Sequence, residues 1–86
     1  MMKSEDLVQG KIYFISYNEN TQVVGRFKEI NGCHYIFYDL LHYWNGFESF
    51  IKSLDYCVIT GITEMRQATK PEKHTLIRFE IEYDCI

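Results

Sequence analysis

Residues 35–50 read YIFYDLLHYWNGFESF. The run holds seven of the chain's fourteen aromatic residues, including its single tryptophan, Trp44. Its first half alternates. With Cys33 just before it, Tyr35, Phe37 and Asp39 face one way, while His34, Ile36, Tyr38 and Leu40 face the other. Both faces carry rings or aliphatic chains, so residues 33–40 read as a strand covered on both sides, at the centre of a sheet. The second half breaks at Asn45-Gly46. Beyond it Phe47, Phe50, Ile51 and Leu54 recur at i, i+3, i+4 and i+7, the spacing of one helical face. Asn45 with Glu48 three residues on makes an Asn variant of the capping box. The pattern predicts a short helix over 46–54, with an aromatic loop as the alternative.

Upstream, Ser4 reads as the N-cap of one short turn, with acids behind it. Residues 11–17 (KIYFISY) form a strand pattern of β-branched and aromatic residues, and residues 18–20 (NEN) a turn. Residues 21–30 give a second strand, with Val23, Gly25, Phe27 and Glu29 on one face and Val24, Arg26, Lys28 and Ile30 on the other. Gly25 marks a bulge or a sharp bend inside it. Asn31-Gly32 is a strong hairpin signal and predicts a type I′ turn into the central strand.

Downstream, residues 56–60 (YCVIT) read as a strand ended by Gly61, and residues 62–66 as a bent continuation. Thr69-Lys70-Pro71-Glu72 combines a Thr N-cap, an early proline and a capping-box Glu, a helix start. Ile77, Phe79, Ile81 and Tyr83 then alternate with period two, which suits a strand. The specific cap favours a C-terminal helix from about residue 70. The expected fold is a single α+β domain: a small, bent antiparallel sheet curled into an SH3-like barrel, with the two helices added.

With 86 residues, the chain buries only roughly two-thirds of its unfolded surface. Fourteen large rings are more than such a core easily encloses, so some are expected at the surface. Nine Lys and Arg against twelve Asp and Glu leave a net charge of −3, which disfavours non-specific binding to a phosphate backbone. Three cysteines, Cys33, Cys57 and Cys85, with no CxxC spacing, read as free thiols in a reducing compartment. No apolar leader region opens the sequence, and no apolar run approaches the ~20 residues of a membrane span. These features predict a cytoplasmic protein without a membrane partner.

No constellation points to catalysis or to a cofactor. Cys33, His34 and His42 lie close in sequence, but neighbours in a strand point to opposite faces and do not converge on a metal. A Cys–His–Asp39 triad lacks a helix-start cysteine or a nucleophile elbow. There is no glycine-rich phosphate loop. The acids Glu80, Glu82 and Asp84 read as a solvated face. The expectation is a protein that is not an enzyme and holds neither metal nor cofactor.

Recognition is the remaining class. His42, Tyr43, Trp44, Asn45 and Phe47 lie at a chain break, where binding residues collect, and aromatic side chains dominate interface energetics. They are the candidate protein-binding residues; the alternative places Trp44 as a plug in the open end of the barrel. Arg26 and Lys28 are candidate contacts for a ligand or a nucleic acid, with Tyr43, Trp44 and Phe47 available for base stacking.

Residues 62–73 read ITEMRQATKPEK. The segment resembles the strand-to-helix junction, of the form (L/I)RxAT-x-EEK, that closes a group of small β-rich phage-encoded proteins of unassigned function. Arg66, Ala68, Thr69, Glu72 and Lys73 match, whereas Lys70 here separates Thr69 from Pro71. The resemblance implies a phage protein acting in the cytoplasm of its host. Small acidic phage proteins of this kind resemble inhibitors of host defence, anti-CRISPR proteins among them, which occlude a nucleic-acid-guided nuclease. A second group sequesters nucleotide signals between subunits, which would make this chain a homo-oligomeric sponge. A single-stranded nucleic-acid-binding barrel is the third reading, with direct nucleic-acid binding the least favoured by charge.

Overall fold

A computed structural model describes residues 3–17, 20–52, 57–58 and 61–84. Among these residues six strands and one long helix follow a short 3-10 turn at Ser4–Asp6. The strands are β1 (Ile12–Ser16), β2 (Thr21–Asn31), β3 (His34–Trp44), β4 (Phe47–Lys52), β5 (Cys57–Val58) and β6 (Glu64–Gln67), and the helix is α1 (Lys70–Asp84). All pairings are antiparallel. The sheet runs β4-β3-β2-β1-β6, with β5 beside the start of β3. The α+β class and the C-terminal helix from residue 70 stand as expected. The path does not return on itself among the described residues, so the sheet is open and does not close into the expected SH3-like barrel.

The expected helix over 46–54 is not formed, nor is its loop alternative. Asn45 and Gly46 have φ of 49° and 83°, both in the left-handed region, and Trp44 pairs directly with Phe47. That is the two-residue hairpin that Asn-Gly favours. Pairing along the edge of β3, from Trp44↔Phe47 to Asp39↔Lys52, outweighs the helical spacing of the apolar residues. Residues 53–54 of that expected helix lie outside the described residues, as do residues 18–19 of the expected turn and residues 56, 59 and 60 of the expected strand. The hairpin signalled by Asn31-Gly32 is present, with its turn shifted by one. Asn31 pairs with His34, and Gly32 and Cys33 occupy the turn, with positive φ (62°) at Gly32 and not at Cys33, as in type II′.

Two bulges interrupt β2–β3. Arg26 pairs with Asp39, Phe27 with Phe37 and Glu29 with Ile36, so Tyr38 on β3 and Lys28 on β2 are both extra residues. Lys28 Nζ lies 5.7 Å from the centroid of the Tyr38 ring, and Gln9 Nε2 donates to Tyr38 Oη. The bulge corrects the face assignment made from strict alternation. Tyr35, Phe37 and Leu40 share one face, whereas Asp39 turns to the other, with Leu41.

Each face of the sheet has its own core. On the first face Phe27 sits among the rings of Tyr13, Tyr35 and Phe37, all in edge-to-face contact with centroids 6.2–6.4 Å away. Buried tyrosines need partners for their hydroxyls. The N-terminal segment supplies them: the Val8 N–H donates to Tyr13 Oη at 2.8 Å, and the Ser4 hydroxyl hydrogen-bonds Tyr35 Oη. Ser4 therefore does not cap the turn; the Lys3 N–H donates to Asp6 instead. On the second face Leu76 of α1 is fully buried against Ile12, Phe14, Val24, Leu41 and Ala68.

The cap of α1 is as its sequence suggests. The Thr69 N–H donates to Glu72 Oε1 at 2.8 Å, and the Glu72 N–H reaches Thr69 Oγ1 at 3.4 Å. Arg66 grips the same carboxylate with both terminal nitrogens, at 2.8 and 3.0 Å, while its guanidinium lies 4.0 Å from the Phe14 ring centroid. The inward face of α1 is Leu76, Phe79 and Glu80, at i, i+3 and i+4; Tyr83 continues that side at the exposed end, its ring against Phe50, while Ile77 and Ile81 lie on the outer side. The period-two pattern was an accident of two apolar stripes on different sides of one helix.

Gly25 packs where no other residue fits. A Cβ there would stand 2.6 Å from Phe37 Cδ1 and 3.2 Å from Leu40 Cβ. Phe37 is 1% exposed, so its ring has little room to move. We expect Gly25→Ala to cost about 1–3 kcal/mol through overpacking, read as a lowered denaturation midpoint. An unchanged midpoint would show that the Phe37 ring is free to shift.

Candidate functional site

The five candidate binding residues do not share one surface. Trp44 and Phe47 are direct cross-strand partners at the tip of the β3–β4 hairpin, so both project from the same face. They are 53% and 71% exposed, and Trp44 plugs nothing. His42, half-buried, lies two residues back on that face, opposite Val23 and Ser49. Tyr43 points the other way and packs against the second core. Burial and the Glu48 carboxylate, which its hydroxyl meets, push the Tyr43 phenol up to about 12, so it remains a neutral donor at any physiological pH. Asn45 supplies the turn, and its N–H donates to the Asn20 carbonyl at 3.1 Å, tying the tip to the start of β2.

The tip is therefore a rigid presentation of two large rings. The turn is a favoured one, the strand register is fixed on both sides of β3, and the Asn45–Asn20 bond adds a third attachment. No lysine or arginine occurs from Asn31 to Ile51. Chemically the tip offers apolar and aromatic contact with few charges, which suits a protein pocket better than a phosphate backbone.

Arg26 and Lys28, the candidate ligand contacts, lie on the same strand but are separated. Lys28 rests on Tyr38 at the bulge. Arg26 is engaged inside the protein. Its Nε and Nη2 donate to the two oxygens of Glu80 at 3.0 and 2.9 Å, and its Nη1 donates to the Gly10 carbonyl at 2.9 Å.

That ion pair belongs to a cluster that alternation along the sequence concealed. Arg26, Asp39 and Lys52 are neighbours across three strands. Glu80 and Asp84, one helical turn apart, meet the two cations: Lys52 Nζ donates to Asp84 Oδ1 at 2.8 Å, and Lys52 also lies 4.9 Å from the Tyr83 ring centroid. Asp39 is left with its cationic neighbours committed elsewhere. It is 8% exposed, and its Oδ1 has no hydrogen-bond partner. Burial, with the Glu80 carboxylate beside it, pushes the Asp39 carboxyl up to about 6 from an ordinary 3.8. Burial also opposes the charge on Glu80, but hydrogen bonds from Arg26 and Asp39 outweigh it and hold Glu80 below its ordinary 4.5. The pair thus shares one proton between Asp39 and Glu80 in mildly acidic solution. The signal available in sequence was Glu80 and Asp84 at i, i+4, which reads as a solvated face until the bulge at Tyr38 turns Asp39 toward them.

Cys33 Sγ and His34 Nδ1 approach to 3.8 Å, because Cys33 lies in the turn rather than in the strand. Among the described residues no three His, Cys, Asp or Glu side chains are grouped so as to hold a metal ion. Among the described residues no helix is long and apolar enough to cross a membrane. No protein-family model, curated protein or solved structure matches the chain.

The carboxyl pair makes stability depend on pH in two opposed ways. Asp39 binds its proton more tightly folded than unfolded, so its contribution favours folding in acid and is lost as pH rises from about 4 to about 6. Glu72, held below 4.5 chiefly by Arg66 and against the effect of burial, and Glu80 work in the other direction, and their contributions are lost as pH falls below 4.5. We expect the melting temperature to peak at about pH 5 and to be lower at pH 7. In Asp39→Asn the decline from pH 5 to 7 should vanish and the pH 7 value should rise. The same decline persisting in the variant would show that Asp39 is not its source.

Proposed function

We propose that this protein is a non-enzymatic binding protein that docks on a partner protein through the tip of the β3–β4 hairpin. The observation that carries the reading is the exposed Trp44–Phe47 pair on a rigid two-residue turn. Large rings held at little entropic cost are typical interface anchors. His42 and Ser49 continue the same face, and the neighbouring acid Glu48 with the net charge of −3 favours a basic partner.

The resemblance of residues 62–73 to phage protein junctions extends the proposal to a partner class. It makes the protein an anti-defence factor in an infected host cell, of the anti-CRISPR type, with a nucleic-acid-guided nuclease as its target. Such a nuclease presents a basic, nucleic-acid-binding surface, which an acidic protein with an aromatic tip complements. The nucleotide-sponge reading needs rings and cations in one place, whereas Arg26 is taken up by Glu80 and the tip has no cation. An SH3-like barrel is not required by the proposal.

The test pairs function with folding. The wild-type chain should inhibit cleavage by a guided nuclease and form a stoichiometric complex with it. The double variant Trp44→Ala/Phe47→Ser should lose both while its melting temperature changes little, since surface changes usually stay within about 0.5 kcal/mol. A photo-crosslinker at position 47 should join the partner, and one at Glu82 should not. Binding that survives the double variant would place the interface elsewhere. Cleavage unaffected by excess protein would remove the nuclease as the target.

A further inference from the structure

A cleft of about 240 Å³ opens between the β1–β2 side of the sheet and the first turns of α1. Gly10, Lys11, Ile12, Arg26, Gln67 and Lys73 line it. Three of the lining residues are cationic and none is acidic, in a chain whose net charge is −3. The Arg26 charge is already answered by Glu80, and its donors are taken by Glu80 and the Gly10 carbonyl. The Lys11 and Lys73 ammonium groups are in neither an ion pair nor a hydrogen bond among the described residues. Two residues with unspent positive charge, and Gln67 with its amide, thus line one concavity, with Arg26 braced in its wall.

We propose that this cleft binds a single phosphate-type oxyanion, held between the Lys11 and Lys73 ammonium groups with the Gln67 amide as a further donor. Three features select that ligand class. The volume lies below the ~300 Å³ at which pockets for larger organic ligands begin, and it suits one oxyanion with a few waters. No ring is among the lining residues, so nothing there stacks on a base. Lysine meets phosphate as a mobile point charge and needs no forked geometry. Lys73 also stands in the opening turns of α1, where the helix dipole favours an anion. The site is remote in sequence from the hairpin tip and does not depend on the protein-docking proposal.

Amide NMR of the whole chain, titrated with inorganic phosphate at constant ionic strength against chloride, tests the site. Saturable shifts centred on Gly10, Lys11, Gln67 and Lys73 are expected. Affinity should fall at least about tenfold in Lys11→Met/Lys73→Met, the usual scale for losing charged hydrogen bonds. Each single variant is measured as well, with its melting temperature, so that a fold defect in the double variant leaves the test intact. Adenosine monophosphate is the second arm. Its saturation at the same lysines would support a phosphomonoester as the ligand, and phosphate saturating alone would support the free oxyanion. Shifts that follow chloride equally overturn the proposal. So does binding of either ligand that is as tight in the double variant as in the parent.

Discussion

The contact between Gly25 and the Phe37 ring is the constraint on which the arrangement of this chain rests. Because position 25 has no Cβ, the ring lies close against β2, in edge-to-face contact with Phe27. With Phe37 fixed there, the extra residue Tyr38 is pushed out of the ladder, and Asp39 and Leu40 take up opposite faces. Leu40 completes the aromatic core, and Asp39 turns toward the helix. A missing side chain on one strand therefore decides which side of the sheet receives a charge on the next. Glycine inside a strand ordinarily weakens it; here the neighbouring ring covers the gap.

The helix side follows from that choice. A carboxylate facing the packed surface of α1 would be costly if it stood alone. Lys52 on the flanking strand offsets part of that cost, Glu80 and Asp84 on the helix add to it, and Asp39 responds by holding its proton up to about pH 6 and sharing it with Glu80. Apolar packing at Leu76 and the stacking of Phe50 on Phe79, 5.7 Å apart, hold the helix against the sheet, and the charges specify its rotation. An apolar stripe alone would leave α1 two ways to sit, since Ile77 and Ile81 offer a second stripe. Glu80 against Arg26 distinguishes them.

Much of this was legible in sequence. Residue types placed five of the strands, because β-branched and aromatic runs bounded by Gly and Asn have few other uses. The α1 start was legible to the residue, because Thr69, Pro71 and Glu72 act through local bonds that need no tertiary context. The junction residues that suggested a phage relationship, Arg66, Thr69 and Glu72, are occupied in that cap. The β4 strand was misread because Asn45-Gly46 serves equally as a helix entrance and as a hairpin turn, and only an open edge on β3 chooses between them. The faces of β3 beyond Phe37 were misread because a bulge leaves no mark in alternation. The candidate site was legible in its rings, Trp44 and Phe47, but not in Tyr43, whose burial depends on the same unseen pairing.

Among the described residues the open sheet ends in two borders, and both are short and charged. β4 carries Glu48 and Lys52; β6 carries Glu64 and Arg66, which pair with each other at 3.2 Å. Such borders are poor templates for further strands, since an incoming backbone would have to desolvate these groups. The chain can thus display two bare aromatic rings beside the open edge of β4 without inviting copies of itself to polymerise. Crowded expression inside a cell would then yield discrete molecules rather than fibrils, with adhesion confined to whatever fits the rings.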